Sequence, residues 1–325
     1  MKDRNLNGGG EAASLEPGWP WRRCPAALAA GAALFFSISL TGFFPRFTPP
    51  AAADVSLPEG GFHGTPFGDY LAERLVADGF DRDVVRALLS DPRGEILKTT
   101  LAYAVVYKET KADYSGFLSK ERLNRAREFL ERKRDVLEAA EKEFRVPPEV
   151  TAAILMIESD FGNFRRLHRT FNVFATLLWS ERPENFKTVS TIIRARIPDV
   201  EDDRIRQRTG KKARWGYEQL VVLLRIAERE GMNPYLLEGS WAGAFGLPQF
   251  IPSSYWGYAV DGDDDRRVDL FNEDDAIYSI GNYLKTFGWK DGLSEKKKKA
   301  VLRRYNNSGL YVDTVLAAAA RLERG

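Results

Sequence analysis

A lone carboxylate set in apolar surroundings can hold a proton at neutral pH, and Glu158 has that setting. It lies in Pro147-Pro148-Glu149-Val150-Thr151-Ala152-Ala153-Ile154-Leu155-Met156-Ile157-Glu158-Ser159-Asp160-Phe161-Gly162. Pro148 suits a first helical residue, Glu149 places an anion at the positive end, and Gly162 is a C-terminal stop, so the stretch predicts a helix of about four turns. Val150, Ile154, Ile157 and Phe161 recur at spacings of three and four, which predicts one buried face. Glu158 shares that neighbourhood and sits in the last turn. Lost hydration and the negative end of the helix dipole both disfavour its ionised form. Two readings follow: a general acid still protonated near neutral pH, able to protonate a leaving-group oxygen, or a glutamate paired with a buried arginine.

Composition narrows the alternatives. The chain has 325 residues, long enough for one large domain or two small ones, and 29% of them are charged, which is ordinary for a globular protein. Lys plus Arg number 48 against 46 Asp plus Glu, so bulk charge predicts no nucleic-acid partner. Cys24 is the single cysteine, which excludes an intramolecular disulfide and a thiolate metal cluster. With two histidines, His63 and His168, an imidazole zinc site is not expected, and His168 reads as a surface or packing residue. The chemistry must rest on carboxylates, hydroxyls or amides.

The elements that must position Glu158 follow in order. Residues 1–47 form an N-terminal signal or membrane-anchor segment: Arg22 and Arg23 precede the apolar run Ala26 to Phe44, which is long enough to span a bilayer with its N-terminal side in the cytoplasm. Ala51-Ala52-Ala53 resembles a cleavage site, so the segment is either a retained anchor or a late-cleaved signal, and the protein is exported in both cases. Residues 48–65, rich in Pro, Gly and Ala, read as a linker, and a folded domain spans 66–325. Tyr70 to Ala77 and Asp81 to Leu89 read as short helices, with Asp81 an N-cap. Tyr103 to Tyr107 is the most strand-like run. Ser119 to Arg145 reads as one long charged helix with a narrow stripe of Leu123, Leu130, Leu137 and Phe144. Phe171 to Trp179, Tyr217 to Arg229 closed by Gly231, Ala300 to Arg304, and Tyr311 to Leu322 complete the helical set. Lys296 to Lys299 is a solvated run, and Arg182 and Arg194 to Arg196 are surface arginines by default.

Gly239-Ser240-Trp241-Ala242-Gly243-Ala244-Phe245-Gly246-Leu247-Pro248-Gln249-Phe250-Ile251-Pro252-Ser253-Ser254-Tyr255 is dense in small residues. No Lys-Ser or Lys-Thr follows and no strand precedes it, so it is not a nucleotide loop. Glycines allow close backbone approach, and aromatic rings beside Ser240, Gln249 and Ser254 suit a carbohydrate. Further on, Asp261, Asp263, Asp265 and Asp269 occupy loop positions one, three, five and nine of a calcium-binding pattern. Arg266 stands where that pattern has a turn-making Gly, and Asn272 where it has a bidentate carboxylate. The loop reads as a weak structural calcium site or as an acidic surface turn.

Glu158-Ser159 at a helix end, the Gly239 to Tyr255 stretch, Asp274-Asp275-Ala276-Ile277, Asn282-Tyr283, Gly288-Trp289 and Arg304-Tyr305-Asn306-Asn307-Ser308-Gly309-Leu310-Tyr311 together resemble the membrane-bound lytic transglycosylase B family over residues 66–325. The resemblance implies a mainly α (α+β), lysozyme-like catalytic domain with a small irregular or β lobe, acting on peptidoglycan glycan strands outside the cytoplasmic membrane and requiring no cofactor. It implies that Glu158 is the single catalytic acid/base. It also implies that Ser240, Gln249, Tyr283, Tyr305, Asn306 and Tyr311 hold the sugar and its N-acetyl group, with Phe250 part of the groove wall. The implied reaction cleaves the MurNAc–GlcNAc bond without water, leaving a 1,6-anhydro end. The rival expectations are a lysozyme-type hydrolase in the same groove and an inactive, membrane-tethered peptidoglycan-binding scaffold.

Overall fold

The computed structural model of the chain describes residues 61–106, 114–163 and 168–324. The folded part begins before the expected boundary. Phe62, placed in the linker by composition, is fully buried, with the Phe67 ring edge-on at 5.5 Å and Phe171 at 6.3 Å. The Phe62 and His63 N–H groups both donate to the Leu89 carbonyl at 2.8 Å. Residues 61–65 therefore belong to the domain, and Thr65 caps α1 (Pro66–Ala77) by accepting from the Gly68 N–H. Asp81 caps α2 (Arg82–Leu89), as its position predicts.

Residues 103–106 of the run that looked strand-like lie in α3 (Lys98–Val106), and Tyr107 lies outside the described residues. Leu101, Ala104 and Val105 are buried, and the helix packs on α7 (Thr170–Trp179) and α8 (Phe186–Arg194), so tertiary burial overrides the β preference of a short apolar run. The single charged helix is two: α4 (Lys120–Arg132) and α5 (Arg134–Phe144), broken where Lys133 leaves helical geometry. The Lys133 ammonium there donates to Asp274 at 2.5 Å, at the start of α11 (Glu273–Thr286).

The break allows α4 and α5 to follow different neighbours around α6 (Pro148–Ser159), the helix that carries Glu158. α4, α5, α11 and the final helix α13 (Gly309–Glu323) all contact α6. Every residue from Val150 to Ser159 is consequently buried. The expectation of one buried face is too narrow, because a helix enclosed on all sides must be apolar on all sides. α7 lies along α9 (Asp202–Glu230), the most extensive helix–helix contact among the described residues. α9 begins fifteen residues before the predicted start at Tyr217, its charged first half concealing the periodicity, and ends at Gly231 as expected. α10 (Pro252–Tyr258) and α12 (Glu295–Tyr305) complete the helices that matter for the site.

Strand content is small. β1 (His168–Arg169) pairs antiparallel with β2 (Glu238–Gly239), and bridges from Gly239 to Phe245 and from Phe245 to Phe250 fold the glycine-rich stretch onto it. The architecture is mainly helical with a small β element, as the resemblance implied. The apolar run 26–44 lies outside the described residues, and no described helix is long and apolar enough to cross a membrane.

At the α7–α9 interface a Cβ added to Gly216 would stand 2.8 Å from the Leu177 Cβ. Gly216→Ala should therefore destabilise the domain by about 1–3 kcal/mol through overpacking, read as a lower midpoint in thermal or urea unfolding.

Candidate active site

Glu158 is the penultimate residue of α6 and is 1% exposed. Just beyond it the chain takes three successive left-handed residues, Asp160 (φ 48°), Phe161 (φ 56°) and Gly162 (φ 88°). The two that are not glycine store about 1–3 kcal/mol of strain each, so something must hold them. α4 does. The Arg125 guanidinium donates from Nε and Nη2 to Asp160 Oδ1 at 3.1 and 3.0 Å and from Nη2 to Oδ2 at 2.8 Å. One turn further along α4, the Phe129 ring stacks on Phe161 with centroids 4.6 Å apart. Sequence reasoning offered Glu158 an arginine; the arginine at this helix end goes to Asp160. Neither Arg125 nor Asp160 was foreseen, because no local pattern links residues 35 apart.

Two tyrosines stand beside Glu158. Burial, then the Glu158 charge, then Tyr305, and a hydrogen bond to Glu158, hold the fully buried Tyr311 hydroxyl far above its ordinary pKa. Burial, then Glu158 and Tyr283, do the same for Tyr305. Both stay neutral and cannot serve as bases, and it is the Tyr311 hydroxyl that is hydrogen-bonded to Glu158. Their rings lie nearly parallel, 8° apart with centroids at 6.4 Å. Tyr114, ahead of the short turn that leads into α4, also bears on the Tyr311 hydroxyl and was missed, since nothing local marks it.

The structure brings most of the expected groove residues to these tyrosines. Tyr305 ends α12 and its hydroxyl donates to the Pro248 carbonyl at 2.6 Å. Tyr283, on α11, meets Tyr305 edge-on at 5.0 Å, and its hydroxyl donates to the Arg304 carbonyl at 2.5 Å. Phe250 lies 5.6 Å from Tyr283 and 5.8 Å from Tyr305. Asn306 is fully buried; its Oδ1 accepts from the Ser308 N–H, shaping the turn that presents Tyr311. Gln249, held at φ 51°, donates through Nε2 to the Gly246 carbonyl at 2.8 Å. The Ser240 hydroxyl accepts from the Ala242 and Ala244 N–H groups, so it organises its own loop.

The glycines of this loop approach protein. A Cβ on Gly246 (φ 74°) would stand 2.4 Å from the Leu270 Cβ, and one on Gly243 would strike the Phe174 ring. The loop is thus wedged between α7 and the segment before α11, which fixes Pro248 to Phe250 against the tyrosines. Arg182 is engaged elsewhere, pairing with Glu184 and lying over the Tyr70 ring. Half-buried His168 is on β1, where burial pushes its pKa down despite the Glu95 charge.

In the acidic loop, carboxylate oxygens of Asp261, Asp263 and Asp265 lie within 4.8 Å of one another. Asp261 Oδ1 is buried without a hydrogen-bond partner, an oxygen set suited to a hard cation. Arg266 adopts the positive φ (71°) that a glycine would otherwise supply. Asn272 caps α11 by accepting from the Asp274 N–H, and Asp269 Oδ1 accepts from the Phe271 N–H. Beneath the loop, Asp275 accepts from the Gly262 and Asp269 N–H groups at 2.7 and 2.6 Å, while burial pushes its pKa up against them.

A buried glutamate at the end of an enclosed helix, with a small β element, fits a lysozyme-like class. Solved structures share the architecture. The Escherichia coli lytic transglycosylase Slt35 in complex with bulgecin A matches at a TM-score of 0.63 and 22% identity, covering 82% of this chain and 95% of that one. Its calcium complex matches at 0.63 and 21%, with the same coverage. Pseudomonas aeruginosa SltB3 bound to NAG-anhNAM-pentapeptide matches at 0.62 and 18%, over 81% of this chain and 80% of that one. Residues 65–299 match the model of the transglycosylase SLT domain, and the chain belongs to that family. The membrane-bound lytic murein transglycosylase B of E. coli K12 is 32% identical over 158 residues, which are 49% of this chain and 36% of that protein.

Tyr305→Phe removes the bond that pins the glycine-rich loop. It should destabilise the domain by about 1–2 kcal/mol, measured by denaturant unfolding, with the Pro248 carbonyl left to find water.

Proposed function

We propose that this chain is a peptidoglycan lytic transglycosylase that cleaves the MurNAc–GlcNAc β-1,4 bond and leaves a 1,6-anhydroMurNAc end. The observation that carries the reading is the buried Glu158 carboxyl at the end of α6, flanked by two tyrosines that stay neutral, in a chain of the transglycosylase SLT domain family. Glycosidases of the usual kind flank the scissile bond with two carboxylates. Asp160, two residues away, is bound through both oxygens to Arg125 and is not available as the second.

Glu158 protonates the bridging oxygen as the C1–O bond breaks and an oxocarbenium-like centre develops at the muramoyl C1. The resulting Glu158 carboxylate then takes the proton from the muramoyl C6 hydroxyl, whose oxygen bonds to C1 and closes the anhydro ring. Glu158 ends the cycle protonated, and no water is consumed. Tyr311 supplies a neutral hydroxyl beside the charge that appears on Glu158, and Tyr305, whose hydroxyl donates to Pro248, stands next to it. Ser240, Gln249, Phe250, Tyr283 and Asn306 complete the groove that holds the glycan and its N-acetyl group. Much of that set acts through shape, since Phe250, Tyr283 and Asn306 are buried and tied to the protein. The substrate lies outside the cytoplasmic membrane, so residues 1–47 act as a retained anchor or a cleaved signal.

Glu158→Gln should lower turnover of purified wall by about 10²–10⁴-fold or more while leaving unfolding and glycan binding unchanged. Mass spectrometry of the wild-type digest should find anhydro ends; reducing ends would make the enzyme a hydrolase, and undigested wall would make it a scaffold. The acidic loop is proposed to hold calcium through Asp261, Asp263 and Asp265, with Asp269 beside them. Calcium at about 100 times its Kd should then add about 2.7 kcal/mol of stability, and Asp263→Ala should abolish the rise in melting temperature.

A further inference from the structure

We propose that Arg125 and Asp160 are positioning residues for Glu158, with α4 acting as a jig that fixes the last turn of the catalytic helix. The inference rests on the reading of Glu158 as the acid, and it concerns how that acid is aimed.

Arg122, Arg125 and Phe129 follow one another on α4 at spacings of three and four, so they share one face. That face meets the left-handed end of α6 at two points. Arg125 forms a two-pronged ion pair with Asp160, which is nine-tenths buried, and Phe129 stacks on Phe161. Arg122, buried one turn earlier, also feels the Asp160 charge. A planar guanidinium matched to both oxygens of a carboxylate fixes orientation as well as distance, which a point charge does not.

The turn itself is tightly wound. Asp160 and Phe161 donate their N–H groups back to Met156 and Leu155, and the Asn163 side chain donates to the Asp160 carbonyl at 2.9 Å. On its far side, a Cβ on Gly162 would stand 3.0 Å from Leu247 Cδ2. The turn is thus gripped between α4 and the glycine-rich loop, whose Pro248 receives the Tyr305 hydroxyl. Glu158 lies two residues from the gripped carboxylate. Its side chain can keep one direction relative to Tyr305 and Tyr311 only while this end of α6 keeps its left-handed exit. Misplacing a reacting group by about 1 Å can cost about 100-fold in rate, so the clamp should appear in turnover before it appears in binding.

Arg125→Met, Arg125→Lys and Asp160→Asn are compared with wild type on a soluble muropeptide oligomer, well below each melting temperature. The expected result is a kcat lowered about 10–100-fold in Arg125→Met and Asp160→Asn, a KM within about twofold of wild type, and partial recovery in Arg125→Lys. Without substrate, hydrogen exchange of the amides from Ile157 to Gly162 should accelerate in the same two variants. A lower melting temperature with unchanged kcat and unchanged exchange would overturn the proposal and leave the pair purely stabilising. Should Arg125→Met fail to fold, Arg125→Lys and Asp160→Asn decide alone. The reading of Glu158 fails separately, through turnover close to wild type in Glu158→Gln, while the exchange measurement still reports on the clamp.

Discussion

Burying a carboxylate inside a helical core is the constraint on which the rest of the structure depends. The ionised form loses several kcal/mol of hydration there, and only fixed neighbours can return part of it. Beside Glu158 one of those neighbours is the Tyr311 hydroxyl. Tyr305 and Tyr311 are themselves driven toward neutrality by burial and by the glutamate. Such surroundings suit a group that must give up a proton and recover it within one reaction cycle.

The enclosure has an architectural consequence. A buried acid on a central helix requires partners on every side of that helix, which α4, α5, α11 and α13 provide. The break at Lys133 is part of that solution, since a straight helix from 119 to 145 could not have followed both α13 and α11. The aromatic residues then connect three of the chain's last elements, α11, α12 and α13, through Tyr283, Tyr305 and Tyr311. The glycine-rich loop closes the set, because its small residues bring Pro248 within reach of the Tyr305 hydroxyl.

What could be read from sequence was local. Asp81 as a cap, Pro148 as a first turn and Gly231 as a stop each depend on a few adjacent atoms, and each holds. Glu158 stood out because a charged residue in an apolar helix is rare. The aromatic cluster was recognised through family resemblance, since periodicity alone would have made Tyr283 and Tyr311 ordinary core residues. What was not legible depended on distant partners: the helix at Tyr103, stabilised by α7 and α8, the packing of Phe62, and the Arg125–Asp160 pair. The charged first half of α9 was hidden for a related reason, because its buried residues Ile205, Thr209 and Ala213 are too few and, apart from Ile205, too small or polar to announce a face.

Two acids two residues apart meet opposite surroundings at the end of α6. Asp160 has both oxygens taken by a guanidinium, a partner that fixes its direction. Glu158 has the Tyr311 hydroxyl, a partner that can donate to a carboxylate or accept from a carboxylic acid. A mechanism with two carboxylates would require Asp160 to leave Arg125, stranding a buried carboxylate and undoing the strained turn the pair holds together. Keeping that turn intact leaves Glu158 as the acid of the site, and in the proposed reaction the nucleophile comes with the substrate: the muramoyl C6 hydroxyl is attached to the ring whose C1 it attacks, so its use removes the need for a second protein carboxylate.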